Sequence, residues 1–426
     1  MLIDLLSDSH LGFRFGMRLC AEGYNQREAD LEAAFAKVID DIIVSSPRLV
    51  LHCGDCFDKY NPTDRARTFF IRHLKRLLAA LPDAALIVLR GNHDTSREVR
   101  SGSALATTAE ALPLPLLRSD RAKQHKLAGE FTPVIDLVSG AYFVDSFEPA
   151  NIVVDDVLVH AISWARNDAG IKQAVDAAGR IKRPKSIERM LMILHAGLSS
   201  LPEYARMTPG SQTLSPSELP HNFDQIFGGH YHGYRRFPDT NFTFIGSAER
   251  TSAGQINQPR GWVSYDSATQ DIEHHSIPVR DYLDLPDFNA QGLDGKAIEA
   301  RLLKLRDELG GWRDKMLRLT ITNVPRDVYN AIDRDRIGRL TAEPVHFELN
   351  YQIIEPDFAD GDVSQQTIRD LATEWTEFAP RALEKRSAAE IDNALLLGAQ
   401  ALSGHLEQLP APLIDAASLA NAGDAS

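Results

Sequence analysis

Three short apolar runs, MLIDLL, RLVLHC and AALIVL, each stop in a cluster of polar residues: DSH, GDCFD and GNHD. Between them lie READLEAAFAKVIDDIIVSS and RARTFFIRHLKRLLAAL, whose apolar residues recur at helical spacing. Strands alternating with helices predict a sheet with helices on its faces. Later runs, VLVHAISWA, RMLMILHAG and QIFGGHYHG, then FTFIGSA and GWVSYD, extend the strand pattern. Polar residues recur where these strands stop, which is where open α/β sheets bind ligands.

The texture changes near Pro278. KAIEARLLKLRDEL reads as a helix, and KMLRLTITNV alternates Leu317, Leu319 and Ile321. DVYNAIDRDRIGRL is again helical, and VHFELNYQII alternates Val345, Phe347, Leu349, Tyr351 and Ile353. A chain of 426 residues exceeds one ordinary core, and these shifts divide it into 1–278, a small α+β module at 279–356, and a helical region at 357–426.

No apolar run approaches the roughly 20 residues that span a bilayer, so no membrane segment is expected. Three cysteines are too few for a disulfide framework, which points to a reducing cytoplasm. Cys53 and Cys56 flank Asp55 and read as packing residues, and His52 as a core or supporting histidine. The net charge of −13 argues against a generally basic, nucleic-acid-coating surface. Residues 387–426 carry five acids and no Lys or Arg, so the charge discriminates weakly.

The strand-end stretches hold Asp8 and His10; Asp55; Asn92, His93 and Asp94; His195; and His230 and His232. On an extended backbone alternate side chains share a face, so Asp8 with His10, and His230 with His232, can each address one point. Gly228 and Gly229 would let the backbone turn and come close to whatever sits there. Taken alone, GGHYHG is equally a polar turn with two solvated histidines. Carboxylate, imidazole and amide ligands without thiolate suit Mn²⁺, Fe or Zn²⁺.

The order D-x-H, G-D-x-F-D, G-N-H-D, H-x-G, G-H-x-H resembles the calcineurin-like metallophosphoesterases. DSHLG, GDCFD and LRGNHD are similar to their DNA double-strand-break repair nuclease branch, the SbcD-like exonuclease subunits. The resemblance covers roughly residues 1–250. It implies a layered α/β/β/α sandwich, followed by a capping domain and helices. It implies one metal on Asp8, His10, Asp55 and His232, and a second on Asp55, Asn92, His195 and His230, with Mn²⁺ the expected ion. Two such metals, about 3.5–4 Å apart, clamp a phosphate and generate a hydroxide nucleophile. His93 would sit at the scissile phosphate, with Asp94 orienting its ring.

Arg14, Tyr231 and Arg235 lie near the motifs and are candidates for DNA contact, although no long basic stripe exists. The resemblance further implies an SbcC-like, coiled-coil ABC-type ATPase partner and a homodimer. In TIRDLATEWTEF, Ile368, Leu371, Trp375 and Phe378 form a candidate docking face. Two other readings compete. One is a phosphodiesterase for small substrates such as cyclic nucleotides, which needs neither the module nor the helical region. The other is a scaffold with a vestigial site, against which the complete ligand set argues.

Overall fold

The computed structural model describes residues 1–96, 103–117, 125–127, 130–132, 134–204 and 211–355. The helical region expected at 357–426, with its Ile368–Phe378 face, lies outside the described residues. The main sheet is built from β1 (Leu2–Leu6), β2 (Leu49–His52), β3 (Ala85–Leu89), β4 (Ile135–Val144), β5 (Ala150–Val154) and β6 (Val157–Ile162). It continues through β7 (Arg189–His195), β8 (Gln225–Gly229), β9 (Arg235–Phe237), β10 (Phe242–Phe244), β11 (Gly261–Asp266) and β12 (Ile272–Ser276). Its order is β9-β10-β8-β7-β6-β5-β4-β3-β2-β1-β11-β12.

Strand β4 joins the two halves. Its residues from Gly140 to Val144 run parallel to β3, while Ile135 and Asp136 pair with β5. Between these segments Gly140 adopts φ +84°, a conformation that disfavours any Cβ, and there the strand changes partner. The halves then close on each other. Ile3, Leu5, Leu49, Leu51, Ile87 and Leu89 of one half share a core with Ile152, Val159, Leu191, Ile193 and Phe227 of the other.

Side-chain alternation supplies the outer layers. Leu6, Val50, Leu86 and Val88 face outward and meet Phe35, Val38, Ile42, Phe70 and Leu74. These come from α1 (Gln26–Ser45) and α2 (Asp64–Ala80), capped by the side chains of Asn25 and Thr63. On the opposite flank Leu158, Met190, Met192 and Ile226 pack on Ile171 and Val175 of α3 (Asp168–Ala178), capped by Asn167. The result is the expected α/β/β/α sandwich.

The small module follows as β13 (Tyr282–Asp284), β14 (Phe288–Asn289), α4 (Gly295–Glu308), β15 (Met316–Pro325), α5 (Arg326–Ala331), α6 (Arg334–Thr341) and β16 (His346–Ile354). Its core contains Ile298, Leu302, Trp312, Leu317, Leu319, Ile321 and Ile337. Met1–Gln352 nevertheless form one compact unit. Arg280, just before β13, holds the Asp30 carboxylate of α1 through two 2.7 Å hydrogen bonds. Among the described residues no helix is long and apolar enough to cross a membrane.

Candidate metal centre

The loops after β1, β2, β3, β7 and β8 converge at one edge of the sandwich. Backbone hydrogen bonds of 3.0 Å lace the first two together: Asp8 N–H to Gly54 O, His10 N–H to Asp55 O, and Leu11 N–H to Cys56 O. Asp8, His10, Asp55 and His230 all have positive φ, at 50°, 42°, 52° and 89°. Such conformations cost on the order of 1–3 kcal/mol each and persist only where the surroundings enforce them. The expectation that each i, i+2 pair shares a face of an extended chain is therefore corrected. The strands end at Leu6 and Gly229, and in the left-handed turns beyond them Asp8 and His10 still reach one group, whereas His230 and His232 part.

Two groups of side chains result, within each of which the candidate ligand atoms lie within 4.8 Å of one another. In the first, His10 Nε2 is 3.1 Å from His232 Nε2, and Asp8 Oδ1 is 4.0 and 3.8 Å from those nitrogens. In the second, His195 Nε2 is 3.3 Å from Asp55 Oδ2 and 3.0 Å from Asn92 Oδ1, which lies 2.9 Å from His230 Nδ1. Asp55 Oδ2 is also 3.6 Å from His10 Nε2, so this carboxylate stands between the groups. His10, Asp55 and His93 make a third such grouping.

Supporting contacts turn acceptor atoms inward. His195 Nδ1 donates to Cys53 O at 2.8 Å, which turns Nε2 toward Asn92 and Asp55. Asp8 accepts the His230 N–H through both oxygens, at 3.0 and 3.1 Å. His232 Nδ1 lies 3.0 Å from Thr251 Oγ1. Clustered acceptors repel one another unless a cation or a proton lies among them.

Charge follows this geometry. Burial holds His10 well below the usual imidazole range, and pushes His230 down to about 3 and His232 to about 4. These rings are neutral with lone pairs available. Burial also opposes charge on Asp55 and His195, but their mutual attraction wins. It holds the Asp55 carboxyl well below the usual carboxylate range and raises His195 to about 9. Burial, eased by the His195 charge, pushes Asp8 up to about 7. Without a cation, a proton on His195 neutralises the cluster. A divalent ion would take its place.

Asp94 does not orient His93. Its buried carboxylate accepts the N–H groups of Cys56, Phe57 and Gly91 at 3.2, 3.0 and 3.0 Å, clipping the β2 loop to the β3 loop. The Asp58 carbonyl, 2.6 Å from Nδ1, holds the exposed His93 ring instead. His93 N–H in turn donates to Asp55 Oδ1 at 2.8 Å. His52 underlies the cluster, buried, with Nε2 2.8 Å from Ser9 Oγ. An open cleft lined by Lys59, Tyr60, Asn92, His93 and Thr95 adjoins the site.

The candidate substrate residues differ in availability. Arg14 is held by the buried Glu28 carboxylate at 2.7 Å. Tyr231 accepts a hydrogen bond from Gln258 at 2.9 Å, and its ring packs on Phe244. Arg235 is exposed, its guanidinium 5.4 Å from the Phe237 ring centroid. Sequence reasoning missed Trp164 and Tyr204, whose rings lie 5.2 and 5.4 Å from His230, and Thr251 beside His232. For Trp164 a signal existed, because SWAR ends a strand as the other site motifs do.

Three relatives are DNA double-strand break repair proteins Mre11 from archaea. That of Sulfolobus acidocaldarius is 24% identical over 327 residues, covering 74% of this chain and 73% of the relative. That of Methanococcus maripaludis is 22% identical over 291 residues, covering 65% and 67%. That of Thermoplasma acidophilum is 26% identical over 256 residues, covering 59% and 57%. The calcineurin-like phosphoesterase pattern matches residues 1–234, a stretch that carries every strand-end loop of the cluster up to His232. With that match over more than half its length, and with these DNA double-strand break repair proteins among its relatives, the chain belongs to the calcineurin-like phosphoesterase family.

Proposed function

We propose that this chain is a Mn²⁺-dependent nuclease that hydrolyses DNA phosphodiesters, as one subunit of a repair complex with a coiled-coil ABC-type ATPase. The observation that carries the reading is the pair of acceptor groups joined by Asp55. Asp8, His10, Asp55 and His232 would hold one divalent ion, and Asp55, Asn92, His195 and His230 a second. The oxygen and imidazole donor set, without thiolate, suits Mn²⁺. Such a pair supplies Lewis acidity to the phosphate and an activated water. The chain's own residues do the rest. The Cys53 carbonyl and Thr251 fix the rings of His195 and His232, and Asp94 keeps the Asp55 and Asn92 loops in register. With Nδ1–H held by the Asp58 carbonyl, His93 in its imidazolium form would present Nε2–H to the leaving oxygen, give up that proton and be left as neutral imidazole.

The relatives' names support DNA as substrate, and the cleft beside His93 is open to solvent. The ordered support around Asp8, His195 and His232 argues against a vestigial scaffold. Purified protein with Mn²⁺ should cleave linear duplex, hairpin or single-stranded DNA alongside bis-p-nitrophenyl phosphate, and lose both activities to a chelator. Hydrolysis of cyclic nucleotides with DNA untouched would replace this reading with the small-substrate one. Removing residues 357–426 should abolish co-purification with the ATPase while metal-dependent hydrolysis persists. Retained co-purification would place the contact elsewhere.

A further inference from the structure

Trp164 follows β6 and stands beside the cluster, its ring centroid 5.2 Å from His230 at 40° and 6.1 Å from His195 at 73°. It is only partly buried and belongs to none of the hydrophobic clusters among the described residues. Trp262 and Trp312, by contrast, are 4% and 0% exposed and sit inside cores. The neighbouring rings of Tyr204 and Tyr231 pack against a core as well. Trp164 is thus the large ring at the site whose burial does least for folding.

Its position is nonetheless fixed. Trp164 N–H donates to Arg90 O at 3.0 Å, and an Arg90 guanidinium nitrogen lies 3.5 Å from Trp164 O. Arg90 directly precedes the loop that carries Asn92 and His93, so the Trp164 backbone is registered to the same chain segment as those side chains. Two residues on, exposed Arg166 adds positive charge, with its guanidinium 4.9 Å from the Phe147 ring centroid. A part-exposed indole two residues from an exposed arginine matches a nucleotide, whose base offers a π-face and whose backbone is anionic.

We propose that Trp164 is a specificity-determining platform on which a nucleobase flanking the scissile phosphate stacks. The proposal rests on the nuclease reading and adds to it a recognition of the base. Stacking of this kind is indifferent to base identity but requires that a base be present.

The test uses the full chain with Mn²⁺ and oligonucleotides carrying one cleavable phosphodiester, with either a base or an abasic tetrahydrofuran on each side of it. Wild type should prefer the base over the abasic position by roughly 5- to 150-fold in kcat/KM on one side of the bond. Trp164→Ala should bring that ratio close to one, and Trp164→Phe should keep most of it. Because both substrates meet the same metal site, loosening of His230 cancels in the ratio. An unchanged ratio in Trp164→Ala, or a wild type indifferent to abasic substitution on both sides, overturns the proposal. A wild type that hydrolyses bis-p-nitrophenyl phosphate but no oligonucleotide overturns the nuclease reading instead.

Discussion

Replacing Gly229 with alanine should strip metal from the site, whereas the same change at Gly228 should only loosen the core. Along β8 the faces alternate: Ile226 packs outward with Phe242 and Phe244, and Phe227 packs inward between the halves of the sheet. A Cβ on Gly229 would overlap the Cys53 carbonyl and Ser7 Oγ, and would come within 2.8 Å of His195 Nδ1. That carbonyl is the acceptor that sets the His195 ring, so relieving the overlap breaks the bond. Overpacking together with a lost buried hydrogen bond is worth about 2–4 kcal/mol. Loss of a ligand's supporting bond typically lowers metal affinity about 10- to 100-fold. A Cβ on Gly228 instead meets Phe242 Cζ at 2.5 Å, a core contact away from the cluster. Its cost should be about 1–3 kcal/mol with metal affinity unchanged. Urea unfolding in chelator measures the first quantity, and calorimetric Mn²⁺ titration the second. Equal loss of metal in both variants, or full affinity in Gly229→Ala, would refute the reasoning.

His93→Ala should cut hydrolysis by about 10²- to 10⁴-fold while elemental analysis still finds wild-type Mn²⁺, and loss of the ions would make His93 a ligand instead. Asp4 is fully buried, and burial, only partly offset by the Ser45 hydroxyl, pushes its pKa from 3.8 to about 7. A raised folded-state pKa means stability present below the unfolded value and lost as pH rises through the folded one. The protein should therefore lose on the order of 4 kcal/mol between pH 4 and 8 through this group. Asp4→Asn should flatten that part of the curve in chelator, and an unchanged pH profile would exclude Asp4 as its source. Arg235→Ala should reduce the slope of DNA affinity against salt by about one, whereas Arg14→Ala, whose charge Glu28 already neutralises, should leave it nearly unchanged.

What could be read from the sequence was set by periodicity. The inward row Ile3, Leu5, Leu49, Leu51 and the outward row Leu6, Val50 follow from the pleat, and the strand ends bring Asp8, Asp55, Asn92, His195 and His230 to one edge. Beyond those ends the pleat no longer governs. At His230 the backbone turns to φ 89°, so the two-residue spacing that suggested a shared target delivers His230 to Asn92 and His232 to Asp8 and His10. Asp94 illustrates the same limit. Adjacency to His93 suggests a partner for the ring, but the turn closed by Thr95 N–H on Asn92 O, 3.2 Å, aims the carboxylate inward at three N–H groups. The group that does hold the ring is the carbonyl of Asp58, and a carbonyl has no side-chain letter to read. Arg14 stands in the sequence as a candidate DNA contact because its partner, Glu28, lies across a loop and on a helix. Gly228 and Gly229 look alike in sequence, yet the alternation that placed the strands also separates them. One glycine yields space to a phenylalanine, and the other yields it to the carbonyl that orients His195.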